Sequence, residues 1–176
     1  MSKVIALVPI GNVDKDFLEA LRPPLEKIFS QRMRIAGRIA LPRDSWNRDR
    51  GQHLTSLLLA MLSPLPRSGE RVLGVVDVDI FAPGLNFVFG QADITGRRAL
   101  ISLKRLRQEF YGLHRDEDLF LQRALKEAVH ELGHTYGLGH CPDPSCVMHF
   151  SNSLPDTDLK GRNFCSFCQE KVNQRL

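Results

Sequence analysis

Three histidines, at positions 130, 134 and 140, have the types and spacing of a metal site. On a helix, His130 and His134 lie four residues apart on one face, so both imidazoles can reach one metal ion. Gly137 can end that helix in a left-handed conformation, and the turning chain then brings His140 to the same point. Three protein ligands leave one coordination position open, which is typical of a catalytic zinc rather than a structural one.

Glu131 follows the first histidine, where its carboxylate is badly placed to bind the metal but well placed to contact a zinc-bound water. Zinc can lower the pKa of such a water to about 7, so hydroxide forms near neutral pH. We therefore expect Glu131 to act as the general base that takes the proton and later passes it to a leaving amine. A bare HExxH can arise by chance on a helix surface, whereas the full HExxHxxGxxH fixes five positions and favours a true site.

All four cysteines lie near the C-terminal end, as a Cx4C pair and a CxxC pair. They are Cys141, Cys146, Cys165 and Cys168. In a reducing compartment clustered cysteines favour metal binding over disulfides, and four thiolates can hold a tetrahedral structural zinc. The segment after Cys141 is too weakly hydrophobic to hold together by core packing, which also favours a metal clip. The alternatives are a redox CxxC, although its strand-to-helix context is lacking, and unrelated buried cysteines. The histidines and cysteines together predict two zinc ions per chain, one catalytic and one structural.

The run HExxHxxGxxHC, followed by CxM and then by CxxC, resembles the archaemetzincins, a branch of the metzincin clan of zinc metallopeptidases. The resemblance covers residues 128–168, and the first 120 residues carry no comparable signature. It implies peptide hydrolysis, and it makes Met148 the methionine of the clan's turn, an apolar floor beneath the zinc. Several metzincins carry a tyrosine shortly after this methionine that assists the oxyanion. Here His149 and Phe150 follow, so no residue is assigned to that role, and we interpret His149 as a packing or surface histidine.

The composition is that of an ordinary globular protein of one domain, with 176 residues, 43% of them hydrophobic and 25% charged. No apolar run approaches the roughly 20 residues that span a bilayer, and the N-terminal apolar stretch is too short for a signal peptide. We therefore expect a cytoplasmic protein without a membrane segment. The net charge of +4 and the arginines within residues 31–38 and 97–107 predict solvated basic faces. No nucleic-acid partner is expected, because no recognition motif accompanies these charges.

Predicted elements of the first half are strands at residues 4–9, 33–41 and 71–81, helices from residue 15 and over 51–62, a loop at 42–50 and a turn at 66–70. Asp14 can cap the first helix, which Pro23 and Pro24 are expected to break or restart. Asp77 and Asp79 could bind calcium, but a solvated strand end is favoured because no ligand-rich loop follows.

Two further strands are predicted at residues 86–92 and 98–103, joined by a turn as an antiparallel pair at the edge of the sheet. The resemblance gives this edge a use, because metzincins bind an extended peptide alongside an edge strand by backbone hydrogen bonds. The strand from Asn86 to Ala92 is therefore the predicted substrate-binding edge. Asp116 or Asp118 can then cap the helix that carries the HExxH motif and lies under the sheet.

These elements predict an α/β fold with a mixed twisted sheet, an antiparallel edge strand, backing helices that include the HExxH helix, and an irregular zinc-clipped C-terminal part. We expect one catalytic domain over residues 1–176, with an upper part at 1–138 and a lower part at 139–176. The predicted function is a zinc metallopeptidase, either an endopeptidase or aminopeptidase-like, with a peptide or protein substrate. The alternatives are a zinc-binding interaction module that cleaves nothing, which Glu131 argues against, and a zinc hydrolase of a non-peptide substrate. The oligomeric state stays open.

Overall fold

The elements of the protein come from a computed structural model, which describes residues 4–63 and 70–176; most of the predicted turn at 66–70 lies outside them. In chain order the strands are β1 (Val4–Ile10), β2 (Arg32–Ile35), β3 (Trp46–Asn47), β4 (Gln52–Leu54), β5 (Arg71–Val76), β6 (Ile80–Phe81), β7 (Gly90–Asp93) and β8 (Arg98–Ser102). The helices are α1 (Lys15–Phe29), α2 (Thr55–Met61), α3 (Glu117–Thr135), α4 (Leu154–Leu159) and α5 (Ser166–Asn173).

A five-stranded sheet forms the centre of the fold, in the order β2-β1-β5-β8-β7. The first four strands in this order, β2, β1, β5 and β8, are parallel to one another. β7 pairs antiparallel with β8 at the edge, with Gly90 opposite Ile101. Every residue of β5 is buried, as a valine-rich strand covered on both faces should be. The predicted mixed sheet with an antiparallel edge strand is confirmed.

Helices cover both faces of this sheet. α1 and α3 share one core with one face of the sheet, and α3 lies against β7 and β8. α2 covers the opposite face, where Leu58 and Leu62 pack with residues of β1, β5 and β8 such as Leu100. The HExxH helix therefore runs directly beneath the antiparallel edge of the sheet.

α1 is one continuous helix, so the predicted break at Pro23 and Pro24 is wrong. Pro23 is exposed and Pro24 half-buried, so both rings lie away from the fully buried stripe. That stripe consists of Leu18, Leu21, Leu25 and Phe29. Four buried side chains at about 1.5–3 kcal/mol each offset a cost of about 3 kcal/mol for each interior proline.

Three other boundaries differ from the prediction. β2 ends at Ile35, earlier than the predicted strand at 33–41. Beyond it, a single parallel bridge between Ile39 and Ile10 continues the pairing with β1. The helix expected from residue 51 begins at Thr55, because the residues before it form β4 between β3 and β6 in a small second sheet. The predicted loop at 42–50 thus contains a short strand.

The predicted strand over residues 71–81 is divided into β5 and β6. Asp77 accepts a hydrogen bond from Arg107, and Asp79 is paired with Arg105, with 2.6 Å between Oδ1 and Nε. The two aspartates are therefore partners of arginines rather than a solvated strand end. These pairs fix the chain after β8 against the end of β5.

The predicted edge strand at residues 86–92 is shorter than expected. The N–H of Ser102 still donates to Phe89 O, at 2.8 Å, but the N–H of Val88 donates to Ile80 O, at 3.1 Å. The chain before residue 89 therefore crosses to β6, and only Gly90–Asp93 forms the edge of the main sheet.

The C-terminal part contains two short helices within otherwise irregular chain. α4 begins with a capping box in which the Ser153 and Asp156 side chains each accept from the other's backbone N–H. α5 begins after Cys165 and buries Cys168 and Val172. Among the described residues, no helix is long and apolar enough to cross a membrane.

Candidate functional site

α3 and the turn after it position the three histidines. Asp116 caps the helix, accepting from the N–H of Leu119 at 2.9 Å, so of the two predicted caps this is the one used. Beyond the helix Gly137 has φ +77, a conformation that L side chains rarely adopt, and the chain reverses there. His140 then lies beside the other two imidazoles, with ring centroids 5.3 Å from His130 and 5.1 Å from His134.

The hydrogen bonds of two imidazoles determine which ring nitrogens face each other. His130 Nδ1 lies 2.8 Å from Val147 O and His134 Nδ1 lies 2.8 Å from Leu138 O. Because a carbonyl only accepts, each Nδ1 carries the proton and each Nε2 is a bare acceptor. The two Nε2 atoms are 3.1 Å apart, a repulsive contact unless a cation lies between them. Ligands about 2.0–2.1 Å from a tetrahedral zinc are about 3.3 Å apart, so these residues fit that ion.

Burial keeps the imidazoles neutral, as metal ligands must be. It lowers the pKa of His130 to about 2, with the nearby Lys160 charge as a second cause. Burial also lowers the pKa of His134 and of His140, although His140 is exposed on one side. One ligand nitrogen from each histidine lies within 4.8 Å of the others. The predicted histidines are thus brought together at one point.

Glu131 lies beneath the edge strand β7 and is 7% exposed. A Cβ at Gly90 would lie 2.6 Å from Glu131 Cγ, so a side chain on the strand at this point would displace the carboxylate. Burial raises the pKa of Glu131 well above its usual range; Glu127 adds to the rise and Lys160 opposes it. A carboxylate with a raised pKa accepts a proton more readily, which suits a general base.

Met148 fills the space under α3. It is fully buried, and a Cβ added to Gly133 would lie 2.5 Å from its Sδ, so the absence of a side chain at Gly133 makes room for the methionine. Met148 O accepts from the N–H of Cys141 at 2.9 Å, and His149 Nδ1 donates to Cys141 O at 2.9 Å. These positions fit the apolar floor predicted for Met148 and the packing role predicted for His149.

The four cysteines form a second cluster, in which the four Sγ atoms all lie within 4.8 Å of one another. The sulfurs of Cys141 and Cys165 are 3.8 Å apart, too far for a disulfide and close to the roughly 3.8 Å between ligands of a tetrahedral zinc with Zn–S of about 2.3 Å. The N–H of Cys165 donates to Cys146 Sγ at 3.3 Å. Burial raises the pKa of the Cys146 and Cys168 thiols, so thiolates at these two positions require a bound cation.

A cleft of about 370 Å³ opens between β7 and the C-terminal part, with the three histidines and Glu131 on its wall. Most of its remaining lining is apolar, including Leu85, Phe87, Phe89, Ile94 and Phe150. These side chains offer an apolar surface beside the histidines against which a substrate can pack.

Two charged residues of this cleft were missed by sequence reasoning. Lys160 and Glu127 line it, and Lys160 Nζ lies 3.1 Å from Glu127 Oε1, with their side chains 1% and 4% exposed. Glu127 lies one turn before His130 on α3, which is the one signal that could have identified it. Lys160 belongs to no motif, and only the tertiary fold brings it to the site.

Comparison with known proteins identifies the family. A model of peptidase family M54 matches residues 34–174. The archaemetzincin of Methanocaldococcus jannaschii is 46% identical over 171 residues, which are 97% of this chain and 93% of that protein. The archaemetzincin of Pyrococcus abyssi is 44% identical, over 100% of this chain and 97% of that protein. The chain belongs to the archaemetzincins, peptidase family M54.

A solved structure shows the same fold. The crystal structure of archaemetzincin from Methanopyrus kandleri superimposes with a TM-score of 0.86 at 38% identity, covering 98% of this chain and 94% of that one. The predicted family and the predicted α/β architecture are therefore confirmed. Membership of a zinc metallopeptidase family makes this chain a zinc metallopeptidase with a peptide or protein substrate.

Proposed function

We propose that this archaemetzincin hydrolyses peptide bonds with Glu131 as general base, beside a catalytic zinc held by His130, His134 and His140. The observation that carries the proposal is the pair of bare Nε2 atoms 3.1 Å apart, with the carboxylate of Glu131 in the same cleft. Zinc in that position supplies the Lewis acidity that activates a water and polarises the scissile carbonyl.

Glu131 transfers the proton in this scheme. One of its carboxylate oxygens takes a proton from the attacking water as the new C–O bond forms. The same carboxyl then delivers that proton to the departing amine nitrogen as the C–N bond breaks, so the residue ends the cycle as it began. The Glu131 side chain packs beneath Gly90 and lines the same cleft as the three histidines.

β7 is the proposed substrate-binding edge, within the segment predicted from Asn86 to Ala92. It is the last strand of the main sheet, and it lines the cleft through Gly90, Gln91 and Ala92. An extended peptide can pair with its outward backbone groups as one further strand.

We infer an endopeptidase rather than an aminopeptidase. An aminopeptidase needs an acidic group for the substrate's α-amino group. The carboxylates among the described residues lining the cleft are Glu131, which has the catalytic role, and Glu127, which is paired with Lys160. The apolar remainder of the cleft suits the interior of a peptide better than a charged terminus.

The second zinc is proposed as structural, on Cys141, Cys146, Cys165 and Cys168, giving two ions per chain. The spacing of the sulfurs supports it, and thiols used for metal rather than disulfides suit the cytoplasm. One domain over residues 1–176 is supported by a core that runs continuously from Ile5 to Val172, joining the upper part at 1–138 to the lower part at 139–176.

The test is cleavage of a diverse peptide library by the zinc-loaded protein, detected by mass spectrometry, beside Glu131→Gln loaded in the same way. We expect internal cleavage by the wild type and a loss of roughly 100-fold to 10,000-fold in rate for the variant, because general-base catalysis contributes about that much. Zinc content of both proteins is the control and should be equal.

Equal rates in the two proteins would contradict the role of Glu131. Products that always lack one N-terminal residue would contradict the endopeptidase assignment. Cleavage of no peptide by the zinc-loaded wild type would favour an interaction module, and cleavage of a non-peptide amide or ester alone would favour a different hydrolase.

A further inference from the structure

Lys160 is a buried cation at one end of the cleft. Its side chain is 1% exposed, yet it lines the cleft together with the histidines. Its Nζ lies 3.5 Å from His130 Nδ1, the nitrogen that points away from the other histidines. The ammonium is therefore on the far side of the His130 ring from the proposed metal position, near the reacting centre but not at it.

The hydrogen bonds of this ammonium are incomplete. It has three N–H donors. It forms an ion pair with Glu127 Oε1 at 3.1 Å, and His149 O lies at the limit of a hydrogen bond, 3.5 Å away. His130 Nδ1 cannot accept, because its own proton goes to Val147 O. At least one donor of a buried charge is thus left for another acceptor, which is costly unless a ligand supplies it.

Ser151 provides a second unfilled group in the same cleft. Its Oγ is buried and has no hydrogen-bond partner within the described part of the chain. Ser151 and Lys160 both line the cleft, on the wall formed by the C-terminal part. A hydroxyl donor and an ammonium donor together match an acceptor with two oxygens.

We propose that Lys160 and Ser151 bind a carboxylate of the substrate, so that this archaemetzincin selects peptides with an acidic group near the scissile bond. The carboxylate of Glu127 does not satisfy Lys160 by itself. It offers Lys160 only the oxygen Oε1, and Thr157 Oγ1 contacts that same oxygen. The apolar side chains around the cleft strengthen a charge-assisted hydrogen bond there.

The charges favour a carboxylate over a neutral or basic group. Lys160 is the one ammonium or guanidinium group among the described residues that line the cleft, and its N–H donors outnumber the acceptors around it, so a substrate carboxylate is attracted to it. A basic side chain would meet the ammonium of Lys160 without a free carboxylate. The inference rests on the proposed function, and it specifies the substrate class for that same cleft.

Binding is measured on zinc-loaded Glu131→Gln, which prevents turnover, by fluorescence anisotropy with a labelled peptide. Three versions differ only near the centre of the peptide, carrying glutamate, glutamine or lysine. We expect the glutamate peptide to bind about tenfold to a hundredfold more tightly than the glutamine peptide, as a hydrogen bond between charged groups allows. Amidation of the C-terminus distinguishes a side-chain carboxylate from the terminal one, because it weakens binding only if the terminal group is the ligand.

Three variants, each made on the Glu131→Gln background, separate recognition from structure. Lys160→Met combined with Glu127→Gln removes both charges of the buried pair, so that neither is left alone, and should reduce the glutamate-to-glutamine preference to about one. Glu127→Gln alone removes the competing negative charge and should increase the preference. Lys126→Met is the matched control: Lys126 donates to Thr157 O and Asp158 O at 3.0 and 2.9 Å, does not line the cleft, and should leave the preference unchanged.

Equal affinity for the glutamate and glutamine peptides, including no measurable affinity for either, overturns this inference. A preference that survives Lys160→Met with Glu127→Gln overturns the assignment to Lys160. If the library is cleaved without regard to acidic residues, the proposed function stands and this inference fails. If the acidic peptide is preferred but the wild type cleaves nothing, the recognition stands and the catalytic proposal fails.

Discussion

Gly133 shows how one missing side chain shapes the site. A Cβ there would lie 2.5 Å from Met148 Sδ and 3.1 Å from Phe164 Cε1, both in buried side chains. Gly133→Ala gains about 1 kcal/mol of helix propensity but incurs an overpacking cost of about 1–3 kcal/mol. We expect the free energy of unfolding to fall by up to roughly 2 kcal/mol in urea denaturation.

The control for this substitution is Gly37→Ala. A Cβ at Gly37 would meet nothing within 4 Å, and its φ is not in the left-handed region, so stability should be unchanged or slightly higher. If Gly133→Ala is as stable as the wild type, Met148 moves freely and is not the tightly packed floor described above.

Sequence reasoning at the residue scale succeeded where spacing along one helix decided the geometry. His130, His134 and His140 meet because helix periodicity and one glycine turn dictate it. Lys160 and Gly90 could not be predicted as neighbours of the site, because their positions depend on how α4 and β7 pack against α3. A lysine and a glycine outside any motif carry no local signal of such contacts.

At the scale of elements, Arg123 holds α4 against α3. Its side chain is 5% exposed, and its guanidinium donates two hydrogen bonds to Asp158, of 2.7 and 2.6 Å, and one to Leu106 O, of 3.1 Å. Arg123→Met leaves that buried carbonyl without its donor, whereas Asp158 can be hydrated. We expect a loss of roughly 1–3 kcal/mol in the free energy of unfolding, measured by urea denaturation.

Arg22→Met serves as the comparison for this ion pair. Arg22 pairs with Glu19 at 2.9 Å on the surface of α1, where water screens the interaction, so its loss should have little effect on stability. Equal effects of the two substitutions would show that α4 is held by other contacts.

Elements were predicted well where hydrophobic pattern and tertiary packing agree. The central strands β1 and β5 and the helix α3 follow from their apolar runs. The break predicted at Pro23 and Pro24 failed because the local cost of proline is smaller than the gain from burying the leucines on either side. The helix start at Thr55 and the strand start at Gly90 were misjudged because each neighbouring segment pairs with β6, a contact that no local pattern reveals.

For the whole molecule, the cysteine cluster predicts a defined metal content. Cys165→Ser with Cys168→Ser should reduce bound zinc from about two ions to about one per chain, and should lower the melting temperature, because a structural metal stabilises the fold that forms its site. Atomic emission after gel filtration gives the metal count, and differential scanning calorimetry gives the melting temperature.

Glu131→Gln should keep both ions in the same experiment, since Glu131 is not a proposed ligand. Unchanged zinc content in the double cysteine variant would disprove the structural site. Loss of both ions would show that the two sites depend on each other, as the adjacency of His140 and Cys141 in the chain allows.

The overall architecture was predictable to the level of a mixed sheet backed by the HExxH helix, because alternating strands and helices leave few arrangements. The helices α4 and α5 were not foreseen, since short polar helices depend on caps such as Ser153 and on the packing of Val172 rather than on an apolar stripe. The two clusters of residues that could hold a metal were predictable from residue types and spacing, and their geometry required the fold.

The order of synthesis gives the arrangement around His130 a consequence in time. All strands of the main sheet have been synthesised once residue 102 is added, and the first two histidines once residue 134 is added. The ring of His130 is held by Val147 O, and the N–H of Val147 is in turn held by Asn163 O, at 3.0 Å. A nascent chain therefore carries the strands and the HExxH helix before the segment that orients its first histidine has been added. The hydrolytic centre can be completed only after Val147 and Asn163 have joined the chain.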